Sequence, residues 1–200
     1  MAGKRTAHVG ILALQGDVRE HAHVLRDLGV EVSLVRRPSE LAAVDGLVIP
    51  GGESSVIDKL SRAFGMQSPI REAIAAGMPM YGTCAGMIML ADRITNPIAG
   101  QETFGGLDVV VARNAFGSQV DSFETTLDVV GFDGGPVQAT FIRAPLVTAV
   151  GDRATAIATL PDGGVVAVEQ GPLIATAFHP EMSGEIRFHQ RFLELVRAAA

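Results

Sequence analysis

The stretch HVGILALQGDVREHAHVLRDLGVEVSLV (8–35) decides the fold class. His8 to Leu14 is a short, continuous apolar run, the pattern of a strand buried on both faces. Gln15-Gly16-Asp17 stops it. Val18, Ala22, Leu25 and Leu28 then recur at helical spacing, and Gly29 supplies an end cap. VEVSLV (30–35) reads as a second strand. Strand, helix and strand in succession indicate a parallel sheet with helices on both faces.

The alternation continues along the chain. PSELAAV (38–44) reads as a short helix with proline at its start, and GLVIP (46–50) as the third strand. GGESSVIDKLSRAF (51–64) is a glycine turn running into a helix, and SPIREAIAAG (68–77) is a helix that ends at glycine. MPMYG (78–82) reads as the fourth strand, and CAGMIMLAD (84–92) opens the next helix. After Asn96 the pattern changes to short β-rich segments, LDVVVARN, SFETTLDVV, VQATFIRAP, ATAIATL, GVVAVEQ and PLIATAFHP, expected as strands and hairpins added to the sheet. SGEIRFHQRFLELVRAA closes the chain as an amphipathic helix with Ile186, Phe188, Phe192, Leu193 and Val196 facing the core. With no repeats and no low-complexity linker, one domain over residues 1–200 is expected, with a flexible start over 1–7.

Composition narrows the function classes. The chain is 48% hydrophobic and 19% charged, which suits a buried core and not a disordered polymer. Net charge is −6, the basic residues are scattered and tryptophan is absent, so a nucleic-acid surface is not expected. A lone cysteine cannot form an internal disulfide. The first residues lack the long apolar region of a signal peptide, and no window approaches the roughly 18 apolar residues of a membrane span. A cytoplasmic protein is expected, away from membranes.

Ligands of open α/β sheets bind beyond the carboxyl ends of the strands. Four polar or reactive clusters fall there: Gln15-Gly16, PGGESS (50–55), GTCAG (82–86) and HPE (179–181). GTCAG has the spacing of a nucleophile elbow, with Gly82 and Gly86 two residues either side of Cys84. A cysteine at a helix start is favoured as thiolate, and the N–H of Ala85 would face a developing oxyanion. The competing reading is a core cysteine, since free cysteine is among the most buried residue types. In PGGESS, Gly52 supplies a second oxyanion donor, while Ser54 also reads as a helix N-cap. The turn is not a phosphate loop, because no lysine follows at the required place. Pro180 biases His179 to an extended backbone, in which His179 and Glu181 face one side. Glu181 would then orient the imidazole, although a turn histidine beside a solvated glutamate is the alternative. His8, His21, His23 and His189 lie apart on strand and helices with no metal-site spacing, so no metal is expected. A cysteine elbow, an oxyanion turn and His-x-Glu together are the parts of thiol acyl transfer.

These motifs resemble the class I, triad glutamine amidotransferases. LALQGDVREH, PGGESS, GTCAGM, RNAFGSQVDSFE, FIRAP and FHPEM are similar in order and spacing to the glutaminase subunits of pyridoxal 5′-phosphate synthases, from about Gly10 to the last helix. The resemblance implies a three-layer, flavodoxin-like sheet and a hydrolase working within a lyase complex. It implies Cys84 as nucleophile, His179 as general base and acid, and Glu181 as its orienting partner. It places Gly52, Glu53 and Ser54 in a glutamine-binding turn, completed by Arg113, Ile142 and Arg143, either arginine pairing with the substrate carboxylate. L-Glutamine would pass through a γ-glutamyl thioester, without cofactor, and the ammonia would be channelled to a synthase subunit. Gln15, Arg19, Glu20 and His21 form a candidate contact surface for that partner, the other reading being an ordinary solvated helix face. Ser118 departs from the arginine common in the family. Two rivals remain: a glutaminase of another pathway, such as that of imidazole glycerol phosphate synthase, and a non-catalytic regulator of the same fold.

Overall fold

In a computed structural model, the structure describes residues 6–113, 115 and 122–199. Four strands begin the sheet, β1 (His8–Leu12), β2 (Glu31–Val35), β3 (Gly46–Ile49) and β4 (Met80–Thr83), linked by helices α1 (Val18–Asp27), α2 (Pro38–Leu41), α3 (Ser54–Ala63) and α4 (Gln67–Ala75). Helix α5 (Ala85–Leu90) follows β4, and β5 (Ala91–Thr95), β6 (Leu107–Ala112), β7 (Ser122–Leu127), β8 (Val137–Ile142), β9 (Leu146–Val150), β10 (Thr155–Thr159), β11 (Val165–Gln170) and β12 (Leu173–Thr176) come next. The short α6 (Pro180–Ser183) and the long α7 (Arg187–Ala199) end the chain.

The main sheet runs β2-β1-β3-β4-β12-β11-β9-β6-β5, with β10 paired to β11. Its first five strands are parallel and reproduce the flavodoxin-like order, with β12 as the fifth. Beyond β12 the ladders are antiparallel, apart from the β5–β6 pair. Strands β3, β4 and β12 are buried at every residue, so both sheet faces must be covered. Residues on opposite pleats of β3 show how. A side chain at Gly46 would meet Val196 and Phe192 of α7, whereas Ile49 lies against Gly86 of α5. The β7–β8 hairpin stands apart as its own two-stranded sheet, not an extension of the main one.

Several elements depart from the sequence pattern. Helix α2 stops at Leu41, before the expected Val44. Ala91-Asp92 reads as a helical continuation of α5, yet the chain turns at once into β5, because pairing along β6 is worth more than local helix preference. β9 was hidden behind FIRAP and is set by pairing with β6. Ser54 is not the N-cap of α3; Glu53 is, and its side chain accepts the Ser55 N–H. In the last helix Phe188, Phe192, Leu193 and Val196 are buried as expected, but Ile186 is 41% exposed because α7 begins one residue later. No helix among the described residues is long and apolar enough to cross a membrane. Ser118 lies outside the described residues, as do residues 1–5 of the segment expected to be flexible.

Phe192 and Ile186 give opposite expectations. Phe192→Ala should cost about 3–5 kcal/mol of stability by opening a cavity. Ile186→Ala should stay within about 0.5 kcal/mol. Urea unfolding of the two variants checks this.

Candidate active site

β1, β3, β4 and β12 are consecutive and parallel in the sheet, and the chain leaves each at the same edge. The exits carry Gln15-Gly16-Asp17, Gly51-Gly52-Glu53, Cys84 and His179. Parallel pairing therefore collects the segments that the motifs singled out.

Cys84 sits between the last residue of β4 and the first of α5, with φ 48° and ψ −103°. A non-glycine residue in the left-handed region is strained. Hydrogen bonds hold it there: its N–H donates to Thr176 O (2.8 Å), and its carbonyl accepts the Ile88 N–H (3.3 Å). The flanking glycines are steric necessities. A Cβ at Gly82 would stand 2.6 Å from the Gly86 backbone, and one at Gly86 would collide with the Ile49 carbonyl. Ala85 is the buried first residue of α5.

His179 is the N-cap of α6, and Glu181 lies in the first turn. The pair is thus brought together by a helix start at Pro180, not by an extended strand. His179 Nδ1 is 2.8 Å from Glu181 Oε1. The His179 N–H donates to Thr140 O of β8 at 2.9 Å, which ties the hairpin to the site. Asp17, which the motifs did not mark as functional, brings Oδ2 to 3.4 Å from the same Nδ1. Burial alone would lower the His179 pKa. Hydrogen bonds to Asp17, Cys84 and Glu181 outweigh it and push the ring up to about 12. The ring is therefore an imidazolium at neutral pH. Burial raises the Glu181 carboxyl, and the bond to His179 opposes that shift. Asp17, His179 and Glu181 bring ligand-type atoms within 4.8 Å of one another, but Nδ1 is committed to Glu181 and the ring is cationic, which disfavours a metal ion there.

A cavity of about 370 Å³ opens over Cys84, lined by Asp17, Gly52, Glu53, Cys84, Ile142, Arg143 and His179. Its size suits a small metabolite. Gly52 has φ 146°, and the Gly51 carbonyl accepts the Asp17 N–H at 3.2 Å. Gln15 Oε1 accepts the Glu53 N–H at 2.9 Å, so Gln15 braces the turn. Arg113 is not among the lining residues. It donates to Glu53 Oε1 and Gln101 Oε1, both at 2.8 Å, and Gln101 donates to the buried Ser54 Oγ at 3.0 Å. Arg113 and Ser54 thus stiffen the turn from behind, while Ile142 and Arg143 reach the cavity. Gln101 carried no motif signal, since its role depends on a loop folded back over α3.

The expected partner surface needs one correction. Arg19 is exposed, but His21 is fully buried and cannot contact another molecule. Its Nδ1 lies 2.9 Å from His189 Nε2, and its Nε2 lies 3.0 Å from Thr83 Oγ1 and 3.5 Å from Glu181 Oε1. Burial, with the neighbouring histidines, holds His21 well below the usual histidine range, and burial lowers His189 to about 4.

Comparison with known proteins follows the geometry. Residues 11–198 match the model of the SNO glutamine amidotransferase family. A pyridoxal 5′-phosphate synthase subunit PdxT of Leifsonia xyli is 62% identical over 193 residues, covering 96% of each chain. The subunit PdxT of Streptomyces avermitilis is 56% identical over 193 residues, again 96% of each. A crystal structure of a glutamine amidotransferase superposes with TM-score 0.88 at 43% identity, covering 94% of this chain and 98% of that one. A glutamine amidotransferase from Thermotoga maritima, at 16% identity and TM-score 0.63 over 98% of this chain and 91% of its own, shares the fold.

Two outcomes follow from the site. Gly86→Ala should destabilise the protein by about 3 kcal/mol through backbone collision, measured by urea unfolding. Acid should destabilise it through His189. Above pH ~6.5 the group is neutral in both states and nothing is lost. As the pH falls toward about 4, the unfolded chain binds a proton that the folded one refuses. Stability then drops by about 3 kcal/mol for this group at pH ~4. His179 has the opposite sign and acts only above pH ~6.5, so the windows do not overlap. His189→Phe should flatten the acid slope in unfolding measured across that range.

Proposed function

The chain belongs to the SNO glutamine amidotransferase family, and from that premise we propose that it is the glutaminase subunit of a pyridoxal 5′-phosphate synthase. It hydrolyses L-glutamine to L-glutamate and ammonia, and its synthase subunit uses the ammonia to build pyridoxal 5′-phosphate. The observation that carries this reading is Cys84, strained at the β4–α5 turn, on a metabolite-sized cavity that it shares with His179, whose ring is held by Glu181 at 2.8 Å.

The chemistry follows from the atoms present. Cys84 Sγ, its proton passed to His179, attacks the side-chain amide carbon of glutamine. The N–H groups of Gly52 and Ala85 receive the oxyanion. His179 gives its proton to the departing nitrogen, and ammonia leaves a γ-glutamyl thioester on Cys84. The now neutral ring takes a proton from water, which attacks the thioester and releases glutamate. Glu181 keeps the Nδ1 proton on its own side throughout, so that Nε2 does the transfer. Arg143, at the cavity wall, pairs with the substrate carboxylate, and Arg113 acts through Glu53. Glu53, Ser54 and Ile142 shape the rest of the glutamine site.

The ammonia passes to the synthase subunit without release to solvent, and the two subunits meet in the cytoplasm. Gln15, Arg19 and Glu20 are the surface offered to that partner. Gln15 braces the Gly51–Gly52 turn, so docking there reaches the oxyanion donors directly. Little glutaminase activity is expected from the free subunit.

In the complex with the synthase subunit and its sugar phosphates, Cys84→Ala should cut glutamate release from glutamine by at least about a thousandfold. Ammonium should still support pyridoxal 5′-phosphate formation by that complex. Persisting glutamate release would remove Cys84 as the nucleophile. Wild-type protein that yields no glutamine-dependent pyridoxal 5′-phosphate would remove the pathway.

A further inference from the structure

Two buried histidines take no part in the chemistry above, yet they stand directly behind it. His21 belongs to α1 and His189 to α7, and both are fully buried. Among the described residues, the groups facing His21 are His189, Thr83, Glu181 and the edge-on ring of Tyr81, with the His179 charge beyond. His189 faces His21 and Tyr81, and it feels the charge of Glu185. Among the described residues its Nδ1 has no hydrogen-bond partner.

The carboxylate beside His21 Nε2 decides where the protons are. In one arrangement His21 Nδ1–H donates to His189 Nε2. His189 then carries its proton on Nδ1, as a buried donor with nothing to bond. His21 Nε2 would also present a lone pair to the Glu181 carboxylate 3.5 Å away. In the other arrangement His189 Nε2–H donates to His21 Nδ1. The unpartnered His189 Nδ1 is then only an acceptor, and His21 Nε2–H donates to Thr83 Oγ1 with Glu181 Oε1 3.5 Å away. Either arrangement leaves His189 Nδ1 unpaired, as donor or as acceptor, but only the first turns a His21 lone pair toward the Glu181 carboxylate, so the second arrangement prevails. Both rings are neutral in it, in keeping with the effect of burial on each.

We propose that His21 is a positioning residue of the glutaminase triad, held by His189 in the tautomer that turns its Nε2–H toward Glu181. The proposal rests on the glutaminase reading. Glu181 Oε1 is the oxygen that holds His179 Nδ1, so an N–H on its far side keeps the carboxylate ionised and aimed at His179. The line Cys84, His179, Glu181, His21, His189 then joins the nucleophile to helices on β4's far face. The LALQGDVREH motif contains His21 but does not reveal this role, because its partners come from β4, α6 and α7.

Nitrogen-15 NMR of the histidine-labelled full chain tests the geometry without any activity assay. His21 and His189 should both appear as neutral Nε2–H tautomers from pH ~5.5 to 8. A His21 proton on Nδ1, or either ring titrating near pH ~6.5, overturns the proposal. Kinetics of the complex with the synthase subunit test the role. His21→Phe should lower kcat about tenfold to a hundredfold, the range met when partners behind metal-binding histidines are lost, with KM little changed. His21→Gln should recover most of that rate, because its amide N–H can face Glu181 while its oxygen accepts from His189. Unchanged kcat in His21→Phe, or an equal loss in the folded Gln variant, overturns the role. If His21→Phe does not fold, the Gln variant and the tautomers decide. A wild-type complex that releases no glutamate removes the glutaminase reading and this role with it, whatever the tautomers.

Discussion

Helix α5 lies so close to β3 that the Ile49 carbonyl occupies the place where a Cβ on Gly86 would be. That contact is backbone against backbone, and it cannot relax by rotating a side chain. It brings the start of α5 down onto the sheet and makes the link from β4 very short. One residue must absorb the change of direction, and Cys84 does so in a left-handed conformation that costs about 1–3 kcal/mol. The cost is offset by hydrogen bonds from both of its peptide groups and by the buried helix behind it. The sulfur is then carried to the end of the sheet, facing the cavity, with no freedom to retreat.

The neighbours of Cys84 obey the same geometry. Parallel ladders set β1, β3, β4 and β12 in register, so segments far apart in sequence leave the sheet together. Three histidines show how strongly position decides chemistry. His179, with carboxylates on one side and the thiol on the other, is driven toward the charged form despite its burial. His21 and His189 are driven toward the neutral form, because burial, joined for His21 by the neighbouring histidines, outweighs the carboxylates near them. Desolvation acts on all three, and only local charge separates them. A cationic ring can release a proton to a leaving group, whereas a neutral one can only hold its neighbours in place.

Much of this was legible beforehand. The parallel half of the sheet shows as apolar runs alternating with helical spacing, because strands buried on both faces have no polar side. GTCAG was readable because its glycines answer a steric demand made by the turn itself. His179 and Glu181 were readable as a pair, although a helix start and not an extended strand unites them. What escaped was whatever depends on distant partners. β5 follows a helical pattern without a break and β9 follows FIRAP without a clear turn signal, and both are placed by pairing with β6. Asp17 looked like a strand terminator, since its place beside His179 requires β1 and β12 to end at one edge. His21 looked like surface, because helical spacing gives a face but not what covers it.

The sequence by itself determined the fold class and singled out Cys84, His179 and Glu181 as candidates, because each rests on a local pattern: periodicity, a glycine-flanked turn, a His-x-Glu spacing. The tertiary structure alone decided which charges surround His179, that Arg113 braces Glu53 while Arg143 reaches the cavity, and that His21 and His189 are sealed beneath the triad. Those outcomes turn on distances between side chains brought together from separate strands and helices. Electrostatic and hydrogen-bond energies change steeply over an ångström or two, a scale that spacing along a chain does not resolve.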